Sequence, residues 1–91
     1  MQIEKSLAEI GDRLVKARDD LRIAEEQLLF QMDVLEETKT RALVAETPIA
    51  HREYQEAQAD YERMMKQRDE AGERIAELQK EQDRLLDRML G

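Results

Sequence analysis

Acidic side chains come in adjacent doublets along this sequence, at Asp19-Asp20, Glu25-Glu26 and Glu36-Glu37. Paired carboxylates can share a proton or hold a metal ion when both side chains point at one atom. Neighbouring residues of a helix diverge by about 100°, so helical doublets do not converge in that way. A further acidic set repeats every seventh residue, at Asp12, Asp19, Glu26 and Asp33. That spacing places the set on one helix face, as is typical of a solvated surface.

His51 is the only histidine, and the chain contains no cysteine. A zinc site needs further His or Cys ligands at helical spacing, so we expect His51 to be an exposed helix residue. The sequence also lacks a glycine-rich phosphate loop and a Ser/His or Cys/His nucleophile set. We therefore expect no enzymatic activity, no cofactor and no metal site.

The elements that carry these residues show a seven-residue repeat. The a position of the repeat holds Leu7, Leu14, Leu21, Leu28 and Leu35. The d position holds Ile3, Ile10, Ala17 and Ala24. This spacing is the a/d repeat of a coiled coil. A second frame has d positions at Ala50, Ala57, Met64, Ala71, Leu78 and Leu85. The frame changes at Thr47 and Pro48, residue types that favour the cap and the first position of a new helix.

The two frames predict an all-α fold, an antiparallel two-helix coiled-coil hairpin. We expect a single unit over residues 1–91, with helix 1 at about 3–45, a turn at 46–47 and helix 2 at about 48–90. A short connection between long helices favours antiparallel neighbours. A lone pair of helices buries only one stripe of each, so we expect two hairpins to assemble into a four-helix bundle.

Charges beside the stripe predict one register. When Leu14 faces Leu78, the flanking g positions bring opposite charges together, pairing Arg13 with Glu81, Asp20 with Arg74, and Arg41 with Glu53. Sliding one helix by a heptad places Arg13 against Arg74 or Arg88, which is unfavourable. We therefore expect these six residues to set the register.

Arg68 is the charged residue at an a position, within reach of Asp20 or Glu25. Two interpretations stay open. A buried ion pair would fix the register, as a single polar a residue can. Alternatively, the stem of Arg68 packs in the seam while its guanidinium reaches water.

Apolar side chains remain outside the a and d positions. One flat side of the predicted hairpin, formed by the e and b positions, carries Val15, Leu29, Met32, Leu43, Met65 and Leu86. We expect Met32 and Met65 to face one another there. A smaller set at c and g positions comprises Ile23, Phe30, Val34 and Val44. A cluster of exposed apolar residues indicates association, so we expect the first set, together with Phe30, to form a protein interface.

Composition narrows the function class. The 91 residues are 41% charged and 3% aromatic, with a formal net charge of -7. This acidic balance disfavours nucleic acid and anionic membranes as partners. No apolar run approaches the roughly 18 residues that span a bilayer, and the first residues do not resemble a signal peptide. We expect a cytoplasmic protein with protein partners.

These observations favour a non-catalytic coiled-coil interaction module that self-associates, as a homodimer, through its apolar side. An alternative is a small acidic helical chaperone or scaffold that holds an amphipathic helix of a larger protein complex. Both functions use the same apolar surface, because a groove between helices can accept a second copy or a foreign helix.

Overall fold

Two long helices form a hairpin in the computed structural model, which describes residues 2–91. Helix α1 runs over Gln2–Ala45 and helix α2 over Pro48–Leu90. The Cα atoms span 66 × 14 × 13 Å, so the helices lie side by side along their full length. No strand is present between residues 2 and 91, and the chain is all-helical as the heptad repeats predicted. Within the same residues, no helix is long and apolar enough to cross a membrane.

The turn between the helices is fixed by a backbone cap at the end of α1 and a side-chain cap at the start of α2. Glu46 takes a left-handed conformation with φ 52°, and its N–H donates to the carbonyl of Ala42 at 3.2 Å. This arrangement is the αL cap that ends many helices. Thr47 then caps α2, because its hydroxyl oxygen accepts the N–H of Ala50 at 3.2 Å. Pro48 follows at the first helical position, where its missing N–H leaves no hydrogen bond unmade.

Burial follows the predicted a and d positions. Within residues 2–91, the buried side chains are Ile10, Leu14, Ala17, Ala24, Leu28, Gln31, Thr38, Ala50, Ala57, Ala71 and Leu78. Each of them occupies an a or d position of its helix. The hairpin therefore has one continuous seam as its core, and the remaining faces of both helices stay in water.

The apolar core is strongest in the half of the hairpin away from the turn. Leu14, Ile10 and Ala17 are 1 to 2% exposed and pack with Leu78, while Ile75 adds to their cluster. Alternating large and small side chains lets the two helices approach closely. Burial of one leucine contributes about 1.5 to 3 kcal/mol, so this cluster is the main source of hairpin stability.

Polar residues occupy the seam nearer the turn. Thr38 is 5% exposed, and its hydroxyl donates to the carbonyls of Val34 at 2.8 Å and Leu35 at 3.0 Å. Gln31 is 9% exposed. The polar side chains at these two positions bury less apolar area than leucine side chains would. The half of the hairpin that includes the turn is consequently held together by less apolar area.

Candidate interaction surface

The two flat sides of the hairpin differ in chemistry. One side, here called the Met32 face, is formed by the e and b positions and carries Val15, Leu29, Met32, Leu43, Met65 and Leu86. The other side, here called the ion-pair face, is formed by the g and c positions. Ion pairs bridge the two helices there, joining Asp20 to Arg74 and Arg41 to Glu53. The ion-pair face also exposes apolar side chains, such as Phe30 and Val44, so the preference for the Met32 face as an interface rests on its lack of ion pairs between the helices over residues 2–91.

The Met32 face exposes large apolar side chains in water. Val15 is 68% exposed, Leu29 65%, Leu43 69% and Met32 44%. Met65 and Leu86, on the same face, are half-buried along the edge of the seam. Single exposed leucines are common on protein surfaces, but several on one face are typical of an interface.

An open groove crosses the Met32 face between the two helices. It is lined by Leu28, Leu29 and Met32 of α1, with Glu25 and Arg68 at its polar edge. Its walls are mainly apolar, and its one basic and one acidic side chain lie on opposite helices. Such a groove can accept apolar side chains of another helix.

Met32 and Met65 lie on the same face of the hairpin, one on each helix. In the register shown by the Asp20 to Arg74 ion pair, their Cα atoms are offset by about 8 Å along the axis. Gln58 is the e position nearest in level to Met32. The expected contact between the two methionines stays a prediction.

Phe30 lies outside the Met32 face. Its side chain is 69% exposed and occupies a c position, so it lies towards the ion-pair face. Ile23 is 38% exposed at the preceding c position, and Val34 is half-buried at the nearby g position. Phe30 thus lies on the opposite flat side from the other six residues expected at the interface, and its part in an interface stays a prediction.

Two of the three predicted register pairs are formed. Asp20 Oδ2 lies 3.6 Å from Arg74 Nη1, and Arg41 Nη1 lies 3.5 Å from Glu53 Oε2. Arg41 also pairs with Glu37 on its own helix at 3.6 Å. All of these side chains are substantially exposed, and an exposed pair contributes about 0 to 1 kcal/mol. The pairs select the register, whereas the seam provides the stability.

The third predicted pair is aligned but not in contact. Arg13 and Glu81 lie one heptad beyond Asp20 and Arg74, yet within residues 2–91 no ion pair joins them. Both side chains are exposed. Long exposed side chains lose rotamer entropy on pairing, and this loss offsets most of the Coulomb gain.

Arg68 pairs with Asp69 and with neither Asp20 nor Glu25. The distance from Arg68 Nη2 to Asp69 Oδ1 is 3.1 Å, and the arginine side chain is 40% exposed. The guanidinium has therefore reached the surface, where the adjacent carboxylate is available at little entropic cost. Of the two interpretations from sequence, the stem in the seam with its charge in water describes this arginine.

Arg22 forms a charge cluster that the heptad pattern did not indicate. Its guanidinium lies 2.7 Å from Asp19 and 2.9 Å from Glu26, one turn before and one turn after it. Hydrogen bonding and Coulomb attraction by Asp19, followed by those of Glu26, raise the pKa of Arg22. The spacings of three and four residues were the available signal, since they place opposite charges together on a helix. These pairs neutralise part of the outward acidic row.

The histidine and the acidic side chains, which could bind a metal ion or catalyse a reaction, do not come together in one site within residues 2–91. His51 Nε2 lies 3.3 Å from the side-chain nitrogen of Gln55, on the exposed surface of α2. Within residues 2–91, no group of three or more His, Asp or Glu side chains is arranged to hold a metal ion. Comparison of the chain with protein-family models, with curated proteins and with solved structures found no match.

Proposed function

We propose that this hairpin is a non-catalytic coiled-coil interaction module that binds a second copy of itself through the Met32 face. The assembly is a four-helix bundle of two hairpins. The observation that carries the proposal is the exposure of Val15, Leu29 and Met32 on one face, at 68%, 65% and 44%. Water contact with these side chains costs free energy that association recovers.

The size of the Met32 face supports a stable dimer. A face 66 Å long and 14 Å wide projects about 900 Å², and a typical stable interface buries about 800 Å² per partner. The hairpin is therefore large enough to dimerise through a single flat side. Doubling the apolar stripe that each chain buries also compensates for the polar seam positions Gln31 and Thr38.

The ion-pair face is the less suitable side for self-association. Asp20, Arg74, Arg41 and Glu53 already pair there across the two helices. Covering these side chains would remove four charges from water, and the desolvation cost can exceed the Coulomb gain. The Met32 face carries charges as well, among them Arg18, Glu25 and Lys39, but within residues 2–91 none of these is engaged in an ion pair between the two helices.

Sedimentation equilibrium over a wide concentration range tests this proposal, with circular dichroism on the same samples. We expect a helical species of twice the 10.7 kDa chain mass. A chain that remains monomeric at every concentration would contradict self-association. A poorly helical monomer that becomes ordered on binding an amphipathic helix would instead favour the chaperone or scaffold function.

A further inference from the structure

Side-chain size and charge along the Met32 face are complementary about a point near Arg22. From this pattern, and resting on the proposed self-association, we infer that two hairpins pack antiparallel with their Met32 faces together. The twofold axis runs across the interface, perpendicular to the helices, at the level of Arg22 in α1 and Glu70 in α2. Each helix then packs against its own counterpart in the second copy, running in the opposite direction.

Large side chains meet small ones in this arrangement. Leu29 of each copy lies opposite Val15 of the other, and Met32 lies opposite Gly11. On the second helix, Met65 lies opposite Gly72. Each match occurs twice because the axis relates the copies. Complementary sizes allow the two faces to interdigitate without a void.

Gly11 is the residue that the isolated hairpin explains least. It lies in the interior of α1, where glycine weakens a helix relative to alanine. A Cβ built at Gly11 meets nothing within 4 Å, so packing inside the hairpin does not require a glycine there. Opposite Met32 of a second copy, the absent side chain leaves room for the methionine.

The charges of α1 on the Met32 face also complement each other about the axis. Arg18 of one copy lies opposite Glu25 of the other, and Glu4 lies opposite Lys39. Arg18, Glu25 and Lys39 are exposed in the hairpin. An antiparallel approach therefore brings opposite charges together at four places along α1.

The outer edges of the dimer contain both kinds of contact. Along α2, Lys66 meets Glu73 and Arg52 meets Asp87 of the other copy. Along α1, acidic residues of the outward row meet each other, Asp12 with Asp33 and Asp19 with Glu26. Arg22 and Asp69 each meet their own counterpart across the axis, and inside each hairpin Arg22 pairs with Asp19 and Glu26 while Asp69 pairs with Arg68. The like charges are thus partly neutralised where they approach the axis.

A parallel arrangement, with both turns at the same end, is less complementary. It places α1 of one copy over α2 of the other at the same level. With e positions over e positions and b positions over b positions, Leu29 then lies opposite Glu62, Met65 opposite Glu25, and Met32 opposite Gln58. Contact of apolar side chains with carboxylates and the loss of the Arg18 to Glu25 pair both disfavour this arrangement.

Cysteine crosslinking between separately made single variants distinguishes the two arrangements, since the natural chain has no cysteine. Val15→Cys mixed with Leu29→Cys should crosslink with a short bis-maleimide. Neither variant alone should do so, because two copies of either residue lie on the order of 20 Å apart along the axis. As the matched control, Leu29→Cys mixed with Met65→Cys should stay uncrosslinked.

The possible failures are distinguishable. If the protein sediments as a dimer and only the Leu29→Cys and Met65→Cys mixture crosslinks, the antiparallel arrangement is wrong while self-association stands. A monomer in sedimentation that crosslinks in neither mixture would overturn the proposed function as well. Crosslinking of Val15→Cys with Leu29→Cys supports both.

A charge exchange gives an independent test without a crosslinker. Glu25→Arg should raise the dimer dissociation constant about tenfold, because the introduced guanidinium of each copy would face Arg18 of the other. The double variant Arg18→Glu with Glu25→Arg should restore the natural value. Unchanged or tighter dimerisation of Glu25→Arg alone would overturn the antiparallel arrangement, which requires the new guanidinium to meet Arg18 of the other copy.

Discussion

Asp20 and Arg74 face each other across the hairpin, with their nearest charged atoms 3.6 Å apart. They are far apart in the sequence, one on each helix, so this one contact shows how the helices align. The same alignment places Leu14 beside Leu78 in the buried cluster. An exposed ion pair and the apolar seam thus specify the same register, which is a form of consistency typical of a uniquely folded chain.

The alignment predicts a disulfide one heptad further along. Cysteines at Arg13 and Glu81 should oxidise within one chain, because both g positions lie at the same level of an antiparallel seam. The control places cysteines at Arg13 and Arg74, which this register separates by one heptad. Mass spectrometry after oxidation measures both. An efficient disulfide between the control cysteines at positions 13 and 74 would contradict the register. Disulfides formed only between chains would contradict it as well.

Leu14→Ala should lower the free energy of unfolding by about 2 to 3 kcal/mol. Leu14 is 2% exposed in the main cluster, and its removal leaves a gap that two straight helices can only partly close. Ile49→Ala is the matched control, because Ile49 is 72% exposed and should change stability by less than about 0.5 kcal/mol. Urea titrations at equal protein concentration give both values. Equal losses of unfolding free energy in the two variants would contradict the burial of Leu14 in the seam.

Thr47→Ala should destabilise the hairpin by about 1 kcal/mol. The substitution removes the hydroxyl that accepts the Ala50 N–H at 3.2 Å and leaves that donor without its cap. Thr40→Ala should instead stabilise the hairpin slightly, because Thr40 is an exposed residue in the interior of α1 and alanine is the better helix former. Thermal unfolding of both variants tests the difference. A loss of similar size at Thr40 would show that the Thr47 effect does not come from capping.

Glu46→Gly should stabilise the hairpin by about 0.5 to 1 kcal/mol. Glu46 has φ 52°, a conformation that costs a side-chain-bearing residue free energy and that glycine adopts freely. Ala59→Gly, on the exposed surface of α2, should instead cost about 1 kcal/mol. Denaturant midpoints of the two variants should therefore move in opposite directions. Destabilisation at both positions would mean that the turn does not require the left-handed conformation.

The heptad pattern was sufficient to predict the buried seam from the sequence. Side chains seven residues apart share a helix face, so Leu14, Leu28 and Leu78 could be assigned to the core directly. Thr47 and Pro48 likewise indicated where α2 begins. These features depend on local spacing and on capping chemistry, both of which are visible in the residue order.

Exposed charges were harder to predict. Arg68 could reach carboxylates on either helix, and the structure pairs it with Asp69. Arg13 and Glu81 are correctly aligned but make no ion pair within the described chain. Exposed pairs differ by only a few tenths of a kcal/mol, so side-chain entropy and local geometry decide among partners. The sequence therefore specifies the alignment of the backbone more closely than the partners of its surface charges.

In the proposed dimer the Met32 face, and not the acidic outward row, holds two hairpins together. Sedimentation equilibrium of two double variants distinguishes these two surfaces. Leu29→Asp with Met32→Asp should give a monomer, because the interface would have to bury carboxylates without partners, while the a and d residues stay unchanged. Asp12→Lys with Asp19→Lys should remain dimeric. A monomer from the lysine variant and a dimer from the aspartate variant would contradict dimerisation through the Met32 face and indicate a basic partner for the acidic row.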